Sequence, residues 1–167
     1  MSMDFDGEDV DVETARGRGW PCLRQFCAFL ENKVGRLSEL LRHLERYDLR
    51  IIALSIVDSA DCAIVRIMVN DFERGQEIFK LSNFAVFESD VIGVELPDES
   101  QPYVSVCNSL LAAEVNILYT YPLLYRRRGQ GAIALGVEDV DQGLEVLRDT
   151  GHSIITENEL MEDDEFF

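Results

Sequence analysis

The sequence lacks the residue patterns that define common metal and catalytic sites. Its four cysteines include no CxxC pair, and it has only two histidines, His43 and His152. These residues cannot supply the closely spaced ligands of a zinc site, so we expect the cysteines to be reduced residues of the core. Neither histidine forms a recognisable pattern with a serine or cysteine nucleophile. We therefore expect no metal, no other cofactor and no enzymatic activity.

Positive charge and long apolar runs are scarce as well. Lysine accounts for only two of the fifteen basic residues, and the formal net charge is −17. A protein of this charge repels phosphate backbones, and its one dense basic run, residues 126–128, is too short to track a nucleic acid. No apolar stretch approaches the roughly 20 residues that span a bilayer. Nucleic acid and membrane are therefore not expected as partners.

Acidic residues are concentrated at the two ends of the chain. Residues 1–20 hold six acids and two arginines, and residues 157–167 hold six acids and no base, so the ends carry −10 of the −17. We expect disordered acidic tails at 1–20 and 161–167, because such segments bury little apolar surface. The acidic opening, residues 1–9, is also the opposite of a basic signal peptide, which favours a cytoplasmic location.

The middle of the chain contains an internal repeat. A shift of 66 residues places residues 37–52 on 103–118, with apolar positions matched to apolar positions. A shift of 68 residues places residues 70–79 on 138–147. A duplication in which the second copy has a hairpin two residues longer explains both offsets. The repeat predicts two units, residues 21–89 and 90–160.

Both copies alternate between strand and helix patterns in the same order. The strand patterns cover 22–30, 51–57, 63–69 and 85–88, then 90–96, 115–124, 131–137 and 152–156. The helical patterns cover 37–47, 71–81, 102–113 and 139–149. The order βαββαβ is that of a ferredoxin-like unit, an antiparallel sheet with both helices on one face. We predict an α+β protein of two such units in tandem, with the sheets joined face to face or, as favoured here, side by side into eight strands.

The segment between the first strand and the first helix is the best candidate for a binding site. Asn32 places a side-chain amide before a tight turn at Gly35 that opens a helix, so free backbone N–H groups point towards whatever binds there. A small carboxylate fits that description. The alternative interpretation is structural: Asn32 caps the helix and Gly35 turns the chain.

A second candidate, an anion site made of Tyr119, Tyr121, Tyr125 and the arginines at 126–128, has less support. Aromatic residues in a strand alternate with core positions, so the tyrosines are interpreted as strand residues. The arginines are then expected at an exposed hairpin tip. A third candidate, the contiguous acids at 163–165, lacks the spacing and the glycine of a calcium loop.

The first loop and the strand that follows its helix resemble an ACT domain. The family pattern is Asn or Asp, any residue, Pro, Gly, a basic or small residue and Leu, and this chain has Asn32-Lys33-Val34-Gly35-Arg36-Leu37. Residues 48–52 resemble the entry into the second ACT strand. The outline fits both copies and is most similar to stand-alone proteins with two ACT domains. The resemblance implies that an amino acid or a similar effector binds at an interface between two ACT units.

The resemblance also implies roles for individual residues. Asn32 would hold the amino group of the ligand, and the N–H groups near Val34 and Gly35 would hold its carboxylate. Ile51 and Ile52 would supply backbone groups and form a wall of the site. Asp98 keeps the acid of the pattern in the second copy. The implied ligand-binding residues are Asn32, Lys33, Val34, Gly35, Arg36, Leu37, Ile51, Ile52 and Asp98.

This sequence departs from the family pattern at two positions. Val34 stands where proline is usual, which loosens the turn. Gln101 stands where the repeat would place a second Gly35, and its side chain opposes a left-handed turn. We therefore expect the second loop to act as a structural partner of the first.

These observations predict a non-catalytic regulatory protein that senses an amino acid or related metabolite. Its two units would form an internal pseudo-dimer, and the chain would pair again into a homodimer. The rival prediction is an accessory subunit without a ligand that docks on an amino-acid biosynthetic enzyme through its acidic tails and sheet edges. A small enzyme would need a pocket with paired titratable groups, for which the sequence offers no candidate.

Overall fold

The structure is a computed structural model that describes residues 21–162, so the predicted tail at 1–20 and residues 163–167 lie outside it. The described chain folds into seven strands and five helices, so that two predicted strands are merged into one and a fifth helix is added to the predicted order. The strands are β1 Leu23–Glu31, β2 Ile51–Asp58, β3 Cys62–Val69, β4 Ala85–Glu95, β5 Ile117–Arg127, β6 Gln130–Val137 and β7 Ile154–Ile155. The helices are α1 Arg36–Arg46, α2 Phe72–Lys80, α3 Pro102–Ala112, α4 Val140–Asp149 and α5 Glu157–Glu162.

Strand β4 belongs to both units. Its first half pairs with β1, from Ala85 opposite Phe29 to Val91 opposite Leu23, and its second half pairs with β6 and β7. The two strands predicted at 85–88 and 90–96 are therefore one strand, and the described sheet has seven strands rather than eight. The prediction of two strands was wrong because Ser89 and Asp90, which are compatible with a turn, instead continue the strand and pair with β1.

Each unit has the antiparallel ferredoxin-like strand order that the sequence predicts. The first unit is ordered β2-β3-β1-β4, and the second is ordered β7-β4-β6-β5. The starts of the second helices match across the repeat: Asp71 accepts a hydrogen bond from the Arg74 N–H at 3.1 Å, and Asp139 accepts one from the Gln142 N–H at 3.0 Å. An acidic N-cap satisfies one of the N–H groups that a helix leaves unpaired at its start.

Three buried apolar clusters hold the fold together. One lies between α1, α2 and the first unit's strands, and a second lies between α3, α4 and the second unit's strands. The third cluster joins the helix-free faces of the two units and includes Leu23, Ile52, Met68, Tyr121 and Leu123. Each fully buried side chain of this size contributes on the order of 1.5–3 kcal/mol.

The sheet is curled rather than flat, because its helix-free faces meet. Along β4, Ile92 and Val94 enter the core of the second unit, whereas Val91 enters the cluster between the units. Strands β2 and β5, at the two ends of the sheet order, lie against each other. The two units lie side by side, as favoured, where they share β4. In addition, their open apolar faces bury each other, which the side-by-side prediction did not include.

The C-terminal part of the second unit departs from the prediction. The strand predicted at 152–156 is reduced to β7, and helix α5, which was not predicted, covers Glu157–Glu162 and takes in the first residues assigned to a tail. None of the helices in the described part is long and apolar enough to cross a membrane.

Candidate functional site

The predicted binding loop forms the turn that opens α1. Gly35 has φ 96°, in the left-handed region, and precedes the first residue of the helix. The Lys33 N–H donates to the Glu31 carbonyl at 2.7 Å, and the Arg36 N–H donates to the Lys33 carbonyl at 3.3 Å. Val34 is fully exposed at the tip of this turn. The turning role of Gly35 is therefore confirmed.

Asn32 does not cap the helix. Its Nδ2 donates to Oδ1 of Asp58 at 3.1 Å, at the end of β2, and α1 has no side-chain cap. The structural alternative for Asn32 was wrong, because two residues of turn lie between it and the helix cap at Gly35. The exposed amide thus links the end of β1 to the end of β2.

The charged residues of the loop are paired locally. Lys33 forms an ion pair with Glu31 at 2.7 Å, and this neighbour lowers the pKa of the Glu31 carboxyl below its ordinary value. Arg36 pairs with Glu39 at 2.6 Å. Leu37 packs against the first unit's core. Lys33 and Arg36 thus have carboxylate partners before any ligand binds.

The structure does not bring Ile51, Ile52 and Asp98 to this loop within one chain. Along β3, Cys62 pairs with Glu31, next to the loop, and Val69 pairs with Ile51. At 3.3 Å per residue of β3, the loop and Ile51 are therefore about 23 Å apart. Ile52 is buried between the units, and exposed Asp98 follows β4 at the same end of the sheet as Ile51. The implied ligand-binding residues therefore form two groups at opposite ends of the first unit.

The sequence did not predict a polar cluster that lies on the helix-free faces where the two units meet. We call it the inter-unit cluster, and its members are Gln25, Cys27, Arg66, Ser89, Tyr119 and Tyr121.

Gln25 is the centre of this cluster and is completely buried. Its Nε2 donates to Ser89 Oγ at 2.9 Å and to Tyr119 Oη at 2.5 Å, and its Oε1 accepts from Tyr121 Oη at 2.5 Å. Both N–H bonds and the carbonyl of the amide are thereby satisfied, as a buried polar group requires. The first unit's amide is tied to the second unit's two phenols.

Tyr121 serves this cluster as a permanent donor. Burial raises the pKa of its phenol well above the ordinary value of 10.0, and nearby Tyr119 and Cys27 act in the same direction, against the opposing effect of Arg66. Burial disfavours the phenolate because a charge loses hydration in the interior. The phenol therefore keeps its proton and its hydrogen bond throughout the physiological pH range.

Arg66 carries the one charge of the inter-unit cluster. Its guanidinium carbon lies 3.8 Å from the centre of the Tyr119 ring, and its Nε is buried without a hydrogen-bond partner in the described part of the chain. No ion pair joins Arg66 to a carboxylate of residues 21–162. A half-buried guanidinium of this kind is available to an anion.

The second unit shapes the surface against which Arg66 stacks. The Tyr119 ring lies over Gly136, where an added Cβ would be 2.3 Å from a ring atom. Glycine at this position thus lets the ring lie close to the backbone of β6. From sequence, Tyr119 was considered only for an anion site with the arginines at 126–128 and Gly136 was not considered, because only the fold shows that this face of β5 meets Arg66.

An apolar surface continues the helix-free face of the first unit beyond Arg66. Phe29 and Phe87 meet edge to face with ring centres 5.4 Å apart, and 40% and 58% of their surfaces remain exposed. Val57, 45% exposed, shares this face through the pairing of β2, β3 and β1. We call Phe29, Val57 and Phe87 the apolar shoulder.

The other candidate sites are not supported as catalytic or metal centres. Ser109 Oγ lies 3.0 Å from His152 Nε2, a contact the sequence did not predict, but the hydroxyl also donates to the Ser105 carbonyl at 3.1 Å. Within residues 21–162 no group of three or more potential metal ligands comes together. The arginines at 126–128 are exposed at the β5–β6 hairpin tip, as predicted.

The cysteines of the described chain are all free. Cys22 is buried, whereas Cys27, Cys62 and Cys107 are half-buried. The prediction that they are core residues is therefore confirmed fully only for Cys22.

Comparisons with known proteins identify relatives of this fold. The model of the ACT domain pair family matches residues 22–163. Protein BT0572 from Bacteroides thetaiotaomicron is 28% identical and superposes with a TM-score of 0.75, over 84% of this chain and 96% of that one. The ligand-free regulatory subunit of aspartate kinase from Thermus thermophilus is 10% identical, with a TM-score of 0.53, over 77% of this chain and 92% of that one, and it shares the fold. No curated protein matches the chain significantly.

Proposed function

The chain belongs to the ACT domain pair family, and from this premise we propose that it is a non-catalytic regulatory protein that binds an amino acid or a related metabolite between its two units. The observation that carries the proposal is Arg66, a half-buried guanidinium at the inter-unit seam whose buried Nε has no partner in the described chain. A ligand carboxylate would form the two parallel hydrogen bonds that a guanidinium prefers.

The surroundings of Arg66 define the kind of carboxylate that fits. The hydroxyl groups of Tyr119 and Ser89 lie in the same cluster and supply acceptors for an amino group. The apolar shoulder begins beside Arg66. Cys27 is the strand partner of Arg66, and Phe29 is the next residue of β1 on the same face of the sheet. An amino acid with an apolar or aromatic side chain would place its carboxylate on Arg66 and its side chain against Phe29 and Phe87.

The loop at residues 32–37 contributes differently in this proposal. It follows the end of β1, about 17 Å along the strand from Cys27, which is farther than one amino acid reaches. We assign the loop, including Asn32 and Gly35, to the mouth of the site. Ile51 and Ile52, on β2 of the first unit, lie at the opposite end of that unit together with Asp98, and we do not assign them to this site.

Calorimetry of the full chain against the twenty amino acids tests the proposal. We expect one or a few apolar amino acids to bind, Arg66→Met to weaken binding by about tenfold or more, and Asn32→Ala to weaken it less. Arg148→Met, which changes an exposed arginine on α4, is the matched control and should leave binding unchanged. Silence of the unmutated protein towards all twenty would overturn the proposal, and a larger effect of Asn32→Ala or Gly35→Val than of Arg66→Met would move the carboxylate to the loop.

A second candidate function is favoured by the apolar shoulder itself. Exposed contiguous apolar side chains mark surfaces that meet another protein, either a second copy of this chain or a client enzyme. A homodimer that covers the shoulder would also close the site at Arg66. Sedimentation of the unmutated chain and of Phe29→Ser/Phe87→Ser separates the cases: loss of a dimer supports the second copy, and an unchanged monomer favours the client enzyme.

A further inference from the structure

An open groove lies on the outer, helical side of the first unit, away from the inter-unit cluster. It has a volume of about 370 Å³ and runs between α1 and residues 81–84, which follow α2. Its α1 wall carries Arg36, Arg42, His43 and Arg46 together with one acid, Glu39. We call it the basic groove, and we propose that it binds a small multivalent anion, such as a phosphorylated or polycarboxylated metabolite.

Two of the three arginines in the groove have no counter-ion among residues 21–162. Arg36 is paired with Glu39 at 2.6 Å, but within residues 21–162 no ion pair is formed by Arg42 or Arg46. These two residues are one helical turn apart, so their like charges face the same side of α1 and repel each other. A ligand with two adjacent negative groups would relieve that repulsion.

The opposite wall offers hydrogen-bond groups and an apolar surface. The Arg36 guanidinium carbon lies 4.8 Å from the centre of the Phe84 ring, which fixes this arginine at one end of the groove. The Arg36 Nε is buried without a partner in the described chain. Ser82 and Asn83 line the same wall, and 69% of Leu81 is exposed beside them. A ligand can therefore combine anionic groups on the arginines with an apolar part on Leu81 and Phe84.

His43 shows that the groove is built on a fixed packing of the two helices. Its Nε2 is 2.8 Å from the Ile78 carbonyl in α2, and its ring meets Tyr47 edge to face at 5.2 Å. Ser82 Oγ in turn donates to the Phe79 carbonyl at 2.7 Å. The two walls are thus held by contacts that do not involve Arg42 or Arg46.

The internal repeat shows that the fold does not require these arginines. The shift of 66 residues places Arg36 on Pro102, Arg42 on Asn108 and Arg46 on Ala112. Helix α3 has no basic residue in its last turn and occupies the same place in the second unit. Basic residues in the last turn of α1 interact favourably with the helix dipole, which can explain Arg46. Arg36 and Arg42 lie outside the last turn, so the dipole does not explain them. The charge is therefore a property of this groove in one unit only.

The spacing of the arginines limits the ligand. Arg42 and Arg46 are about 6 Å apart on the helix surface, whereas Arg36 lies about 15 Å along the axis from Arg46. Two adjacent phosphates or two carboxylates on neighbouring carbons match the closer pair. A longer metabolite with a third anionic group would also reach Arg36.

Titration of the full chain with pyrophosphate and with citrate, at constant ionic strength, tests the proposal. We expect at least one of them to bind with a dissociation constant below about 1 mM, and Arg42→Gln/Arg46→Gln to weaken it about tenfold or more. Arg148→Gln, on an exposed face of α4, is the matched control for loss of positive charge. Amide NMR spectra should place the shifts at His43, Ser82 and Asn83.

The same experiments define the results that overturn the inference. Absence of binding by both anions contradicts it, as does binding that the double variant leaves unchanged or that shifts amides elsewhere in the chain. Because the groove is remote from Arg66, failure here leaves the amino-acid proposal untouched. Near-native circular dichroism of Arg42→Gln/Arg46→Gln ensures that lost binding reports the groove and not unfolding.

Discussion

The guanidinium of Arg66 stacks 3.8 Å from the centre of the Tyr119 ring, and the two residues come from different units of the chain. Arg66 lies on β3 of the first unit and Tyr119 on β5 of the second. Tyr119 also accepts a hydrogen bond from Gln25. An anion bound to Arg66, as proposed above, would act directly on a contact between the two units, and a ligand shifts a conformational equilibrium only through such differential contacts.

Replacement of Arg66 separates a ligand-binding role from a structural one. Arg66→Met removes a cation–π contact worth about 0.5–2 kcal/mol but also removes a charge that is poorly hydrated. We expect the free energy of unfolding, measured by chemical denaturation, to change by less than about 2 kcal/mol. A loss above about 3 kcal/mol, with ligand binding intact, would assign Arg66 to the structure alone.

Removal of the Tyr121 hydroxyl should destabilise the seam between the units. Tyr121→Phe leaves the buried Gln25 carbonyl without its donor, which costs about 1–3 kcal/mol in the free energy of unfolding. Tyr119→Phe should cost less, because Tyr119 is only half-buried and water can replace its hydroxyl. Urea denaturation of both variants measures the difference, and the reverse order would contradict this account of the cluster.

A double-mutant cycle attributes the effect to the hydrogen bond. In a Gln25→Leu background there is no amide carbonyl to leave unsatisfied and the buried Tyr121 hydroxyl has lost its acceptor, so Tyr121→Phe should then be neutral or stabilising. An unchanged cost in that background would show that the Tyr121 hydroxyl acts through some other contact.

The raised pKa of Tyr121 predicts how stability depends on alkaline pH. The unfolded chain releases this proton near pH 10, whereas the folded chain keeps it to higher pH. The stabilisation is therefore complete below pH 10 and is lost as pH rises above it, by about 1.4 kcal/mol per unit for one group. Denaturation at pH 9 to 11 should show a steeper loss for the unmutated chain than for Tyr121→Phe, and equal slopes would contradict the prediction.

Local patterns in the sequence predicted most of the elements. The repeat and the strand and helix periods are properties of neighbouring residues, so both βαββαβ units could be identified before the structure. The continuity of β4 could not, because Ser89 is compatible with either a turn or a strand and only pairing with β1 decides between them. Helix α5 was missed because its first turn is held by a contact with Arg24, far away in sequence.

The candidate site was harder to predict than the fold. Strand alternation indicates that Gln25 and Cys27 share a face, but it does not show that this face meets Tyr119 and Tyr121 of the other unit. The resemblance to ACT domains led to Asn32 and Ile51 as one site, and the strand register separates them within a chain. A site between two units depends on how their faces pack, which no local pattern records.

The attachment of α5 to the first unit gives a further testable consequence. Arg24 is 8% exposed, and its Nε and Nη2 donate to the two carboxylate oxygens of Glu157 at 2.6 and 2.7 Å. Glu157→Gln breaks this buried pair, and we expect it to lower the free energy of unfolding by about 3 kcal/mol. Hydrogen exchange should accelerate at the α5 amides, because this short helix depends on the contact.

Glu73 provides the matched control for that variant. It also accepts from Arg24 Nη2 at 2.7 Å, but 46% of its side chain is exposed, so solvent screens the pair. Glu73→Gln should therefore cost less than about 1 kcal/mol and leave exchange in α5 unchanged. Equal effects of the two variants would mean that burial does not distinguish these carboxylates. A selective effect of Glu157→Gln would show that one buried arginine of the first unit anchors the last helix of the second.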